Sequence, residues 1–198
     1  MHVSSYNANK DSPSEFFRTK AEGEEVVRSI FPETTLVRPA PMFGWEDRLL
    51  NKFAGEQSVW ASNHMRELLR PVHAIDVGAA LEVMLQDDST AEQTYELYGP
   101  TEYSMQEISD ITAKEVLKRK PLINIPKAIR KPMTAVASRL LWFIESNPDM
   151  IEREFIDQVI DPTAKTFRDL GIEPSVCDQR HGGRSSMHTY ISIFARLC

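Results

Sequence analysis

Apolar and polar positions divide the chain into stretches of different period. Ser12 to Phe31 reads as a helix: Ser12 is placed to cap it, Pro13 suits its first turn, and Glu15 completes a Ser-x-x-Glu box. Pro32 ends it. Thr34 to Pro39 is a short β-branched run that predicts a buried strand stopping at a proline. A helix is predicted over Asp47–Ala54, a strand-like stretch over Leu68–Ile75, and a further helix capped by Asp76 and running through Leu85. Thr94 to Tyr98 alternates as a strand and is punctuated by Gly99-Pro100. Thr101 or Ser104 then caps a helix toward Lys120. Ile129, Met133, Val136, Leu140 and Phe143 recur at three- and four-residue spacing, the mark of an amphipathic helix. Strands alternating with helices predict an α/β protein with a mainly parallel sheet. No internal repeat is visible, and from Pro174 onward no period persists.

Composition narrows the picture. With 198 residues, 41% hydrophobic and 26% charged, the chain is ordinary globular material, long enough to bury a core. A formal net charge of -6 argues against a dedicated nucleic-acid binder. The two cysteines, Cys177 and Cys198, make no disulfide framework. No apolar run approaches the roughly 18–20 residues that span a bilayer. The opening residues show neither a basic flank with an apolar core nor an arginine-rich presequence. Against this acidic background, Lys114, Lys118, Arg119, Lys120, Lys127, Arg130, Lys131 and Arg139 face a single acid, Glu115. The basic, amphipathic stretch is either a solvated helix face or a docking surface for acidic headgroups or an acidic partner.

The candidate chemistry starts at Phe16 and Lys20. Residues four apart on a helix lie one above the other. A tyrosine and a lysine so placed form a working pair, in which the ammonium lowers the phenol's pKa and the phenol passes a proton. Phe16 has no proton to pass, and the nearest phenol, Tyr6, lies outside the helix. Arg38, before Pro39, is a candidate either for a structural salt bridge with a carboxylate at a sheet end or for a ligand contact. Two other constellations fail on spacing. Cys177, His181, His188 and Cys198 match no tight zinc pattern. Ser4, Ser5, His73 and Asp76 lack the Gly-x-Ser-x-Gly elbow of a hydrolase.

Blocks in order carry a resemblance. Val3-Ser4-Ser5 precedes the helix. "LVRPAPMFG" (Leu36–Gly44), "PVHAIDVGAA" (Pro71–Ala80) and "YELYGP" (Tyr95–Pro100), with Glu107 downstream, follow it. Over Val3 to Ile111 these resemble the second half of the extended short-chain dehydrogenases of nucleotide-sugar epimerase type. "SEFFRTKAEGEEVV", "FPETTLVRPAPMFGWEDRLLNKFA" and "NPDMIEREFIDQVIDPTAKTFRDLGIEP" look narrower still: they are similar to the dehydrogenase-like accessory subunit of mitochondrial respiratory complex I, from about His2 to Pro174. The resemblance implies the C-terminal half of an NAD(P)-binding Rossmann-like fold, parallel sheet with helices, plus a mostly helical C-terminal part. It implies NADP(H) held for structure, with Lys20, Ser4, Pro39 and Met42 on the cofactor side and no catalytic tyrosine. It implies other complex I subunits as partners, on the matrix side of the inner mitochondrial membrane. An active epimerase or dehydratase is the competing expectation.

The sequence departs from that family at its front. No Gly-x-x-Gly-x-x-Gly or Gly-x-Gly-x-x-Gly loop occurs among the eight glycines, and such a loop is where a helix N-terminus meets the pyrophosphate. The chain is therefore expected to be a fragment or truncated reading whose Met1 is internal, with strand edges left unpaired. Three regions are expected: 1–111, the second half of the nucleotide-binding domain; 112–174, helical and basic; and 175–198, a poorly specified tail.

Overall fold

The computed structural model describes residues 1–44, 47, 49–55, 58–115, 117, 121–140 and 147–176. Along the chain come β1 (His2–Val3), α1 (Glu15–Ile30), β2 (Leu36–Pro39), β3 (Met42–Phe43), α2 (Leu50–Gly55), β4 (Val59–Ala61), β5 (Leu68–Leu69), β6 (Val72–His73), α3 (Ala74–Gln86), β7 (Thr94–Leu97), β8 (Tyr103–Ser104), α4 (Met105–Glu115), β9 (Leu122–Asn124), α5 (Lys127–Leu140) and α6 (Pro148–Arg153). The alternation expected from the sequence gives a mixed α/β protein. A parallel sheet of order β1-β2-β7 pairs Val3 with Val37 and Val37 with Tyr95. β3–β6 and β4–β9 are also parallel pairs, and β5–β8 is antiparallel.

Two cores hold these layers. Val77, Ala80 and Met84 recur three and four residues apart on α3 and seat it against Val37, Tyr95, Leu97 and Phe167. Ile108 of α4 meets Phe43, Phe53, Val59 and Met65 in the second. The outer edge of β7 is covered by Lys165, whose N–H donates to the Thr94 carbonyl at 2.9 Å and whose carbonyl takes the Glu96 N–H at 2.8 Å. β1 is the other edge of the sheet.

Several local expectations are corrected. The Ser12–Glu15 box does not cap α1. Ser12 Oγ accepts from the Ser14 N–H at 3.2 Å, while the Glu15 N–H donates to Asp149 at 2.7 Å. The helix is capped by a carboxylate from the far end of the chain, which no local pattern announces. Nor does Asp76 cap α3. β6 runs directly into that helix, so the cap falls on His73, whose Nδ1 accepts the Ile75 N–H at 3.1 Å. Asp76 instead accepts the Ser175 N–H at 2.7 Å. The single strand read over Leu68–Ile75 is broken at Arg70-Pro71 into β5 and β6, which lie in different sheets. Other expectations hold. Ser104 is the cap of α4, in a reciprocal pair: Glu107 N–H to Ser104 Oγ at 3.2 Å and Ser104 N–H to Glu107 at 2.7 Å. Asp47 accepts the Leu50 N–H that opens α2.

α5 carries the expected stripe: Ile129, Met133, Val136 and Leu140 are between 47% and 75% exposed. Its charges are less available than a count of lysines and arginines implies. Lys127 and Lys131 both bind Glu152 of α6. Arg130 is buried against Glu154, at 2.6 and 2.9 Å, and Ser62. Lys118, Arg119, Lys120 and Phe143 lie outside the described residues, as do Cys177, His181, His188 and Cys198.

Candidate functional site

α1 presents Phe16 and Lys20 one turn apart, as their spacing requires. The Lys20 ammonium lies 5.6 Å from the centre of the Phe16 ring. Beneath them Phe17 is buried and meets Phe16 and Tyr6 edge-on, at 5.5 and 5.2 Å. Tyr6 is thus half-buried against that core ring. Burial pushes its phenol up to about 12, with Arg153 opposing and Glu67 reinforcing the shift. A phenol so placed is a poor substitute for the missing one.

The other expected residues are placed as follows. Ser4 follows β1 and is only 6% exposed. Its N–H donates to the Val37 carbonyl at 2.7 Å, but its Oγ has no hydrogen-bond partner among the described residues. A buried hydroxyl left unpaired costs free energy, so Ser4 fits a position that faces a ligand. Lys20 forms no ion pair among the described residues, which leaves its ammonium able to donate to hydroxyls. Pro39 ends β2, its carbonyl taking the Tyr6 N–H at 3.1 Å, and Met42 on β3 keeps its side chain 44% exposed.

The sequence did not single out the residues that flank Phe16. The Arg153 guanidinium lies 4.8 Å from the ring centre and 3.4 Å from Asp149. Asp149 in turn accepts from Ser14 Oγ at 3.0 Å and from the N–H groups of Glu15 and Phe16 at 2.7 and 3.4 Å. A carboxylate is favoured at a helix N-terminus, where backbone N–H groups lack partners. The only local signal was the start of α6, where Asn147 Oδ1 accepts the Met150 N–H ahead of a proline at the first helical position.

Arg38 pairs as expected, with partners the sequence did not name. Its guanidinium holds Glu24 of α1 through two parallel bonds of 2.9 and 2.7 Å. It also approaches Glu96 at 3.5 Å and Asp161 at 3.9 Å. The bonds to Glu24 raise the Arg38 pKa further. Burial pushes the Glu96 carboxyl up, against the Asp161 N–H and Arg38, which pull it down. A cleft of about 1070 Å³ opens beside this network, with Asn9, Arg28, Arg38, Glu96 and Asp161 among its walls. Lys20 and Ser4 are not among the residues that line it. The hydrolase constellation is otherwise engaged: His73 Nδ1 caps α3 and its ring meets Phe43 edge-on, and Asp76 accepts from Ser175. Among the described residues, no group of three or more His, Cys, Asp or Glu could hold a metal.

No family model matches the chain. It is 60% identical, over 175 residues, to the mitochondrial NADH-ubiquinone oxidoreductase 40 kDa subunit of Neurospora crassa, an alignment covering 88% of this chain and 47% of that one. It is 31% identical over 187 residues to the mitochondrial NADH dehydrogenase (ubiquinone) 1 alpha subcomplex subunit 9 of Arabidopsis thaliana, covering 88% and 46%. The chain is homologous to these mitochondrial NADH-ubiquinone oxidoreductase subunits. It spans less than half the length of either relative. Among solved structures, a dTDP-glucose 4,6-dehydratase from Streptomyces venezuelae with NAD bound superposes with a TM-score of 0.61. That match covers 98% of this chain and 58% of that one at 14% identity, which speaks for fold alone. The family likeness drawn from the sequence blocks therefore stands, as does the Rossmann-like epimerase and dehydratase fold. Among the described residues, no helix is long and apolar enough to cross a membrane.

Proposed function

We propose that the protein is a non-catalytic accessory subunit of mitochondrial NADH:ubiquinone oxidoreductase, supporting its assembly and stability. In this reading the intact protein holds NADP(H) as a structural group, with Lys20 and Ser4 at its ribose and nicotinamide end and Pro39 and Met42 on the same side. The observation that carries it is Phe16: the ring beside Lys20 lacks a hydroxyl, and its surface is in contact with Arg153. A bound nicotinamide supplies hydride chemistry, but proton transfer to a substrate would have to come from a group this helix does not carry. Residues 1–111 make the second half of the nucleotide domain in this account, and 112–174 the helical docking region.

The test uses the intact protein. Extraction should release NADPH, the purified protein should show no hydride transfer with nucleotide-sugar substrates, and it should comigrate with the assembled complex in native gels of mitochondrial membranes. Steady, stoichiometric turnover would favour the epimerase or dehydratase reading, which the fold likeness supports. Absence from the assembled complex would remove the subunit reading.

Peripheral attachment on the matrix side is assigned to α5. What supports it is the exposed stripe Ile129, Met133, Val136 and Leu140. Because Glu152 and Glu154 occupy Lys127, Arg130 and Lys131, the stripe carries more of the attachment than charge does. The intact protein should bind anionic vesicles, and Leu140→Glu should weaken that binding several-fold, since inserted apolar area sets the affinity of an interfacial helix. Glu152→Gln should strengthen it by releasing two lysines. Equal binding to neutral and anionic vesicles by both proteins would remove the electrostatic part. Unchanged binding by Leu140→Glu would remove the helix itself.

A further inference from the structure

We propose that Phe16 couples occupancy of the Lys20 site to the seating of α6, and through α6 to α5. This rests on the reading that Lys20 holds a dinucleotide. The observation is a continuous line of contacts. Two cations share one aromatic ring, with Lys20 at 5.6 Å and Arg153 at 4.8 Å from its centre. Arg153 is tied to Asp149, which docks α6 onto the first turn of α1. The residues on either side of Arg153 reach the other way. Glu152 takes Lys127 and Lys131, and Glu154 takes Arg130. The ring beside the nucleotide lysine is therefore joined, through two ion-paired helices, to the apolar stripe of α5.

The physical cause of the coupling lies in the sharing. A ring attracts a cation through its quadrupole, while two cations at one ring repel each other. When the Lys20 ammonium donates to ribose hydroxyls, it withdraws from the ring and Arg153 keeps it alone. Arg153 then sits more firmly on Phe16, Asp149 more firmly on the N-terminus of α1, and Glu152 presents a steadier anchor to α5. Linkage is reciprocal: fixing α5 in an interface raises the affinity at Lys20 by the same factor. This gives the retained nucleotide a task without chemistry, in setting how rigidly the docking helix is held.

Amide hydrogen exchange over residues 127–140 and 148–153 tests it, because a better-seated helix opens less often. The intact protein, stripped of nucleotide, is measured with and without NADPH. Exchange in both helices should slow on NADPH addition by about fivefold, the low end of usual coupling between sites. In Arg153→Met, which keeps bulk but loses the cation, NADPH should still bind while the response disappears. Phe16→Leu should lose the response in the same way, so the test survives if one variant folds poorly. NADPH bound by the unaltered protein with no change in α6 would overturn the coupling and leave the nucleotide reading intact. So would a response that persists in both variants. Failure to bind NADPH at all would overturn both.

Discussion

Gly99→Ala should lower stability by about 3 kcal/mol or more, at the upper end of what overpacking costs. A Cβ added at Gly99 falls 2.0 Å from the Pro71 carbonyl oxygen and 3.1 Å from its carbon. Neither is a flexible side-chain end. The approach exists because the Gly99 N–H donates to the Arg70 carbonyl at 3.1 Å. This bond binds the end of β7 to the break between β5 and β6. Relief of the clash would have to move that break and the core strand β6, whose Val72 and His73 are buried. For a chain of this size the loss corresponds to a fall in melting midpoint on the order of 10 °C. Gly23, inside α1, is the control, since a Cβ there meets nothing within 4 Å. Gly23→Ala should gain roughly 0.5–1 kcal/mol from helix propensity. Thermal melts followed by circular dichroism would compare the two. Equal midpoints for both would show that the Gly99 backbone has room to move.

Arg38→Met is the second large effect, expected at about 3–5 kcal/mol near pH 7, the usual cost of removing one partner from a buried pair. Methionine keeps most of the volume, so the loss is electrostatic. It strands Glu24, 6% exposed and paired to Arg38 through both oxygens, and leaves Glu96, also 6% exposed, with the Asp161 N–H but without its cation. The pH dependence follows from the sign of the shift at Glu96, whose carboxyl is already pushed above 4.5 by burial. A group whose folded pKa is raised favours the folded state below its unfolded pKa, and that contribution is lost as pH rises through the folded value. Removing Arg38 takes away a positive neighbour and raises this carboxyl further. The penalty of the substitution should therefore be largest at neutral pH and shrink as pH falls toward the ordinary carboxylate range, where the Glu96 carboxyl takes up a proton. Denaturant titrations at several pH values would check it. A penalty independent of pH would mean that Arg38 acts through packing instead.

Much of the fold could be read from local chemistry. The β-branched run became β2, the Tyr95-Glu96-Leu97 alternation became β7, and Ser104 with Glu107 capped α4, because each depends on neighbours within a few residues. Two starts were misread for different reasons. The cap of α1 is Asp149, brought from the far end of the chain, while the cap of α3 is local, His73, an imidazole where Asp76 was the expected capping residue. At the candidate site, the Phe16–Lys20 pair was legible because four-residue spacing fixes it geometrically. Arg153 was not, since it reaches the ring from another helix, and no pattern in residues 12–31 requires it. The basic stretch was legible only in part. Counting its lysines and arginines says nothing of Glu152 in the next helix or Glu154 just past its end, which neutralise three of them.

The cap on α1 also bears on the order in which the molecule is made. The first long helix relies on a carboxylate 134 residues further along for one of its leading N–H groups. Asn7, ahead of that helix, spends its amide on the Asp157 carbonyl and the Val159 N–H, 150 and 152 residues away. During synthesis these groups leave the ribosome long before their partners exist. A segment made well before its partners is among the last to be locked, and its consolidation awaits closure of a loop of 134 residues.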